Sequence, residues 1–120
     1  MELLTAQDRA RLLANGQIRR QAETENPELV IDFLPVVKLF TPDSGCTWLL
    51  TELDPEDTDR AFGLCDLGLG FPELGYVSLN ELARLRGRLN LPVERDLHFA
   101  AAKTLSAYAA EARSAGGVKA

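Results

Sequence analysis

The sequence is poor in the side chains that most metal and redox sites require. Its 120 residues include only three such side chains, Cys46, Cys65 and His98. A structural zinc site needs four Cys or His ligands at short spacings such as C-x2-C, and neither cysteine has such a neighbour. We therefore expect no metal and no cofactor, and we interpret both cysteines as small buried hydrophobic residues.

Long apolar runs and surplus positive charge are also missing. No stretch approaches the ~18 apolar residues of a membrane span, and the N-terminal segment has no secretory apolar core. These absences predict a cytoplasmic protein with no membrane partner. The net charge of -5 argues against nonspecific binding to duplex nucleic acid, which needs surplus Lys and Arg. A local basic face is the alternative, built from Arg9, Arg11, Arg19 and Arg20.

Strand signals, in contrast, are concentrated between residues 36 and 77. β-Branched and other apolar residues recur there in short runs, and Pro, Gly and Asp separate these runs. The predicted strands cover residues 36–40, 46–53, 61–67 and 74–77, followed later in the chain by 93–99. We predict an α+β fold with an antiparallel sheet of about four to five strands, a meander over 36–77 plus the late strand, covered by helices on one face.

The second and third predicted strands form a hairpin whose acidic turn is centred on residues 55–56. If the pairing is symmetric about this turn, Trp48 lies opposite Gly63, where glycine leaves room for the indole ring. The same register brings Cys46 opposite Cys65. Two facing thiols are compatible with a disulfide as well as with burial as free cysteines.

Three helices are predicted, at residues 5–15, 79–89 and 105–115. Thr5 with Asp8 is close to a capping box, and Ser78 with Glu81 forms one before the second helix. Gly16 is a plausible helix stop, and the polar residues 21–28 indicate a linker. We therefore divide the chain into an N-terminal helical arm with its linker, residues 1–26, and a single α+β domain, residues 27–120.

Two charged clusters are candidates for binding another protein. One is the acidic turn, with Asp54, Glu56, Asp57 and Asp59; the other is a basic face with Arg84 and Arg88 one helical turn apart. Separated charges of opposite sign favour a partner chosen by electrostatic complementarity. The alternative interpretation is a solvated hairpin and ordinary surface charge.

A catalytic site has weaker support. His98 is the one side chain whose ordinary pKa suits proton transfer near neutrality, and Glu94 and Asp96 lie on its side of the late strand. Such a site would also draw on the more distant carboxylates Glu52, Asp66 and Glu73. A small enzyme or ligand-binding module using a carboxylate–His98 site is therefore the alternative function, and whether the protein is an enzyme stays open.

Several long strings resemble a known family. They are LLTAQDRARLLANG (3–16), PVVKLFTPDSG (35–45), TWLLTELDPED (47–57), AFGLCDLGLGFPELGYVSL (61–79), LPVERDLHF (91–99) and LSAYAAEAR (105–113). The chain is similar to the bacterial domain-of-unknown-function 2958 family over nearly its whole length. The resemblance implies a small cytoplasmic protein of plasmids, integrative elements and phages. It implies an accessory role, such as countering host defence through protein binding, and it transfers no catalytic residue.

Overall fold

A computed structural model describes residues 2–120 and shows an α+β fold built on one five-stranded antiparallel sheet. The elements are α1 (Ala6–Glu25), β1 (Val37–Phe40), β2 (Thr47–Asp54), β3 (Asp57–Asp66), β4 (Glu73–Ser78), α2 (Leu79–Arg84), β5 (Glu94–Arg95) and α3 (Leu105–Ala115). The strand order is β4-β3-β2-β1-β5, which confirms the predicted meander with a late strand added to it. Among residues 2–120, no helix is long and apolar enough to cross a membrane.

The first helix starts where the sequence predicts but continues much further. The Thr5 hydroxyl accepts a hydrogen bond from the Asp8 backbone N–H, and the Asp8 carboxylate accepts one from Thr5, so the capping box is complete. The predicted end at residue 15 is wrong, and residues 21–25 of the predicted linker are helical. Gly16 does not stop the helix because it lies against the backbone of β2 at Leu53, and this packing outweighs its low helix propensity. The division of the chain after residue 26 stays a prediction.

The β2–β3 hairpin has the predicted turn but a different register. Asp54 pairs with Asp57 across residues 55–56, and bulges between the turn and Leu50 then shift the pairing. Trp48 lies opposite Cys65 rather than Gly63, so the predicted Trp48–Gly63 and Cys46–Cys65 pairs are wrong. Both cysteines are free.

The side chains of β2 are divided between two cores, and the bulge between Leu50 and Glu52 changes this division. Trp48, Leu50 and Leu53 pack on the α1 side of the sheet with Leu12, whereas Leu49 packs on the α3 side. The prediction that the helices cover one face of the sheet is therefore wrong, because α1 and α3 pack on opposite faces. Strict alternation would place Leu53 with Leu49. The extra residue in the bulge therefore keeps Leu53 in the α1 core and turns the end of β2 toward that helix.

The second helix is shorter than predicted. The Ser78 hydroxyl accepts a hydrogen bond from the Glu81 N–H, which confirms the helix start, but α2 ends at Arg84 instead of residue 89. The Asp43 carboxylate, from the β1–β2 loop, accepts hydrogen bonds from the N–H groups of Leu89 (2.6 Å) and Leu91 (3.2 Å). These backbone donors bind a distant carboxylate, so the following segment forms a turn.

The late strand pairs with β1 at the far edge of the sheet, but it covers only Glu94–Arg95 of the predicted 93–99. It ends because the Asp96 carboxylate accepts a hydrogen bond from the His98 N–H, which closes a turn. The third helix agrees with the prediction and ends at Gly116 in the left-handed region.

Candidate functional site

The outer side of β4 is the first candidate feature. Within residues 2–120, no strand pairs with that side. Leu74 and Tyr76 project from β4 on the α3 side of the sheet and are about half exposed. The preceding loop is apolar as well, with Leu69 73% and Phe71 81% exposed. We define the apolar edge as the unpaired side of β4 together with Leu67, Leu69, Phe71, Leu74 and Tyr76.

Backbone geometry and one buried carboxylate hold this loop in place. Gly68 and Gly70 have φ angles of 77° and 85°, which L-amino acids with side chains rarely adopt. The buried Asp66 carboxylate accepts hydrogen bonds from the N–H groups of Gly68 (2.8 Å) and Val118 (2.9 Å). Asp66, a predicted catalytic candidate, thus anchors the loop and the C-terminal segment.

A cavity of about 350 Å³ opens beside the apolar edge. It lies on the α3 side of the sheet, between Leu74 and Tyr76 of β4, the start of α3 and the segment 30–33 that leads from α1 to β1. We call it the β4 cavity. Its walls are mainly apolar, from Val30, Ile31, Phe33, Phe62, Leu74, Tyr76 and Leu105, and its polar groups come from Arg19, Asp32, Thr51 and Ser106.

An ion pair between partly buried Arg19 and buried Glu52 lies behind the β4 cavity. The Arg19 Nε donates to Glu52 Oε2 at 2.5 Å, and Glu52 is only 3% exposed. The hydrogen bond to Glu52 raises the pKa of Arg19 above its ordinary value despite partial burial. A second Arg19 nitrogen donates to the Ile31 carbonyl oxygen at 3.2 Å. The guanidinium is therefore fixed in position at the cavity wall.

Asp32 supplies the opposite charge. It accepts hydrogen bonds from both the N–H and the hydroxyl of Ser106, at the start of α3. Desolvation alone would raise the pKa of Asp32, but the Ser106 hydrogen bonds, together with Thr104 and the charge of Arg19, outweigh that effect and lower the pKa. The β4 cavity therefore presents one positive and one negative group, each already held by a partner within the chain.

The family model described as a protein of unknown function, DUF2958, matches residues 3–119. The chain belongs to this family. No curated protein and no solved structure shows significant similarity to it. The arrangement of this DUF2958 protein's side chains is therefore the basis for any statement about its site.

The acidic turn is largely neutralised within the chain. Asp54 pairs with Arg20 and Arg60, both at 3.3 Å, and Glu56 pairs with Arg20 at 2.7 Å. Asp59 accepts hydrogen bonds from the Ser78 hydroxyl and from the Asn80 N–H at the start of α2, and these bonds lower its pKa. Asp57 is exposed and accepts a hydrogen bond from the Asp59 N–H. Asp54, Glu56 and Asp59 thus bond to groups in other elements, whereas the Asp57 carboxylate bonds to the N–H two residues away.

The predicted basic face has a different geometry. Arg84 and Arg88 are both exposed, but Arg84 is the last residue of α2 and Arg88 belongs to the following turn. The Arg88 N–H donates to the Ser44 hydroxyl. The expectation that both arginines lie one turn apart on the same helix is wrong, although each remains accessible to a partner.

The N-terminal basic candidates divide into two pairs. Arg19 and Arg20 are bound to carboxylates of β2 and its turn, whereas Arg9 and Arg11 are exposed on α1. The structure therefore does not bring the four together as one free basic surface. Binding of nucleic acid through this segment stays a prediction.

The structure brings two of the predicted catalytic residues together. The Asp96 carboxylate accepts a hydrogen bond from the His98 N–H and lies 3.4 Å from the Lys38 ammonium nitrogen. Both contacts lower the pKa of Asp96, and the hydrogen bond from His98 has the larger effect. The contact uses the backbone of His98, whose side chain is exposed. Glu94 lines a separate cavity of about 630 Å³ with Arg9 and Arg86.

The sequence predicted no metal site, and it did not indicate the apolar edge. Among residues 2–120, no group of three His, Cys, Asp or Glu side chains is placed to hold a metal ion. Sequence reasoning missed the β4 cavity and the exposure of the loop before β4. Two signals in the sequence could have indicated them. Glu52 stands within the apolar strand TWLLTELD, and a buried carboxylate there requires a cation from elsewhere in the chain. The second signal is the turn LGLGFP, which has no polar side chain.

Proposed function

We propose that this DUF2958 protein acts by binding another protein, and that an extended segment of the partner docks along the apolar edge. The observation that carries the proposal is the unpaired side of β4 beside exposed Leu69, Phe71, Leu74 and Tyr76. An unpaired strand offers a row of N–H and C=O groups to which a partner strand can add.

The composition of the edge supports this interpretation. Proteins usually protect edge strands with lysine, proline, bulges or a covering element. Between Glu73 and Ser78 the one charged residue is Glu73, and the pairing of β4 with β3 is continuous from Arg60↔Ser78 to Cys65↔Glu73. Contiguous exposed apolar side chains typically mark interaction sites. Edge and loop together provide backbone pairing and apolar contact on one surface.

The family resemblance supports a biological setting for this binding. We propose a cytoplasmic accessory protein of plasmids, integrative elements or phages, whose partner is a host protein and whose binding counters host defence. Its test is phage or plasmid establishment in cells that express either the wild-type protein or an apolar-edge variant. Equal phage or plasmid establishment with both proteins would contradict the proposed link between this edge and the accessory role.

The acidic turn and the two exposed arginines are the competing surfaces. Intramolecular ion pairs and cap hydrogen bonds already occupy Asp54, Glu56 and Asp59, which reduces what the turn offers to a partner. Arg84 and Arg88 stay available. Charge reversal of both arginines therefore serves as the comparison for any edge variant.

Site-specific photocrosslinking in bacterial cells tests the proposal. A photoreactive phenylalanine analogue at Phe71 should capture a defined protein, whereas the same analogue at Leu97, which is 65% exposed on the β5 side of the sheet, should not. The captured protein is then purified and its affinity is measured directly. Leu74→Lys with Tyr76→Lys should weaken binding at least about tenfold, since it puts two charges into an apolar contact.

Three results would contradict the proposal. Equal capture from both positions would indicate nonspecific contact. Loss of binding on charge reversal of Arg84 and Arg88, without loss in the double lysine variant, would move the interface to the arginines. Crosslinking of Phe71 only to a second copy of the chain would indicate self-association through β4 instead of a separate partner.

A further inference from the structure

We propose that the β4 cavity is the specificity pocket for one tyrosine side chain of the strand that docks on β4. This inference rests on the proposed function and adds the chemistry of the partner. The argument uses three observations: the position of the cavity beside the free strand, the aromatic lining, and the balanced charges at its wall.

The position follows from strand geometry. A strand added to the free side of β4 would lie about 4.8 Å away, with alternate side chains on the α3 side of the sheet. On that side they would stand directly beside Leu74 and Tyr76, at Cβ separations of about 5 Å. Both side chains are part of the cavity wall. A residue of the docked strand opposite them therefore has the cavity within reach.

The lining favours an aromatic ring. Phe33, Phe62 and Tyr76 contribute to the wall, and Tyr76 is already held in place, with its ring 5.1 Å from that of Phe62 in an edge-to-face arrangement. The Arg60 guanidinium covers the Tyr76 ring at 4.2 Å. Aromatic rings prefer such edge-to-face or offset contacts, and a wall with fixed rings loses little conformational entropy when a guest ring enters.

The charges favour a neutral guest with one hydroxyl group. Arg19 and Asp32 are each bound within the chain, so a charged guest would have to be desolvated without a free counterion. Arg19 uses its Nε and one terminal nitrogen, which leaves further N–H groups able to donate. The Asp32 carboxylate can accept another hydrogen bond. A phenol hydroxyl both accepts and donates, so tyrosine uses the remaining hydrogen-bonding capacity of both groups, whereas phenylalanine leaves that capacity unused.

The test is selection from a random peptide library displayed on phage, with the 120-residue chain as target. We expect the enriched peptides to share one tyrosine between β-forming residues. In a synthetic enriched peptide, Tyr replaced by Ala should bind about 30-fold more weakly, and Tyr replaced by Phe about tenfold more weakly. Methylation of alternate backbone nitrogens of the peptide should abolish binding, because it removes the donors of the strand ladder.

Variants of the protein locate the pocket. Val30→Trp should block the mouth of the cavity and weaken binding about 30-fold; Val30 is 88% exposed, so folding is not at risk. Leu97→Trp places the same ring on an exposed leucine elsewhere and should leave affinity unchanged. Ser106→Trp, also at an exposed lining residue, is a second block that does not depend on the conformation of Val30.

The outcomes separate this inference from the proposed function. If N-methylation abolishes binding while the replacements of the peptide tyrosine and both blocking variants of the protein have no effect, strand docking stands and the tyrosine pocket is refuted. If N-methylation has no effect, or if no peptide is enriched, strand docking is refuted together with the pocket. If free p-cresol binds the cavity as tightly as the peptide, the site takes a small phenol, and the peptide inference is overturned.

Discussion

Replacement of Gly16 by alanine is expected to destabilise the protein, although the residue lies inside an α-helix. In an exposed helix interior this change stabilises by about 1 kcal/mol. Here a Cβ would overlap the Leu53 carbonyl oxygen and stand 3.0 Å from its carbonyl carbon. The obstructing atoms belong to the backbone of a central strand, so α1 has to move away from β2.

The magnitude follows from the contacts that such a movement disturbs. Overpacking in a core costs about 1–3 kcal/mol. The hydrogen bond from Asn15 Nδ2 to the Thr51 carbonyl oxygen, 2.9 Å long, adds about 1 kcal/mol when it is lost. The gain in helix propensity offsets about 1 kcal/mol. The expected net loss is therefore about 1–3 kcal/mol, and it grows if the nearby Arg19–Glu52 pair also opens.

Urea unfolding measures this effect. Trp48 is the sole tryptophan and is buried, so its fluorescence reports the transition. Gly75→Ala is the matched control, because a Cβ at Gly75 meets no atom within 4 Å and should be neutral or stabilise by up to about 1 kcal/mol. A Gly16→Ala protein at least as stable as wild type would refute the close approach of α1 to β2. An equal loss in both variants would refute the steric explanation.

Four further predictions concern single side chains. Trp48→Ala should cost about 3–5 kcal/mol, measured by calorimetry, because the ring is buried in the α1 core; a loss below about 1 kcal/mol would contradict that burial. Ser78→Ala should cost about 0.5–2 kcal/mol through the lost helix cap, and unchanged stability would contradict the observed helix start. Hydrogen bonds from Ser78 and Asn80 hold the pKa of Asp59 below its ordinary value. The contribution of Asp59 to stability is therefore complete above about pH 4, and it is lost as the pH falls through the lower pKa of the folded state. Asp59→Asn should therefore flatten the acid limb of the stability–pH curve, and an unchanged limb would be inconsistent with this linkage. Burial, with a smaller effect of Glu73, raises the pKa of the Cys65 thiol to about 11. In a Cys46→Ser protein, alkylation of Cys65 by iodoacetamide should therefore be slow at pH 8 and accelerate as the pH approaches this pKa. Rapid reaction at pH 8 would contradict the raised pKa.

Charge pairing within the chain changes how its charged clusters are interpreted. The acidic turn and the N-terminal arginines are conspicuous in the sequence as separate groups of one sign. In the structure Arg20 binds both Asp54 and Glu56, and Arg19 binds Glu52. Much of the charge that suggests a partner thus joins α1 to the β2–β3 hairpin. Among residues 2–120, by contrast, no strand pairs with the outer side of β4.

Local interactions determined the features that could be predicted from the sequence. The capping box at Thr5, the helix cap at Ser78 and the turn at residues 55–56 involve groups within about four residues of each other, so their sequence signals are complete. Antiparallel pairing along the meander follows for the same reason, since short connections pair consecutive strands, whereas the place of β5 beside β1 was not predicted. The α+β class and three helices are therefore readable without a structure.

Only the tertiary structure decided the lengths, register and partners that depend on distant groups. The α1 helix passes Gly16 because β2 packs there, and α2 stops early because Asp43 binds the next turn. The bulges near Thr51 set the hairpin register according to which core takes each side chain. The β4 cavity joins α1, β2, β3, β4 and α3, which are far apart in the chain. Periodicity reports which residues prefer burial, whereas packing decides which distant groups they meet.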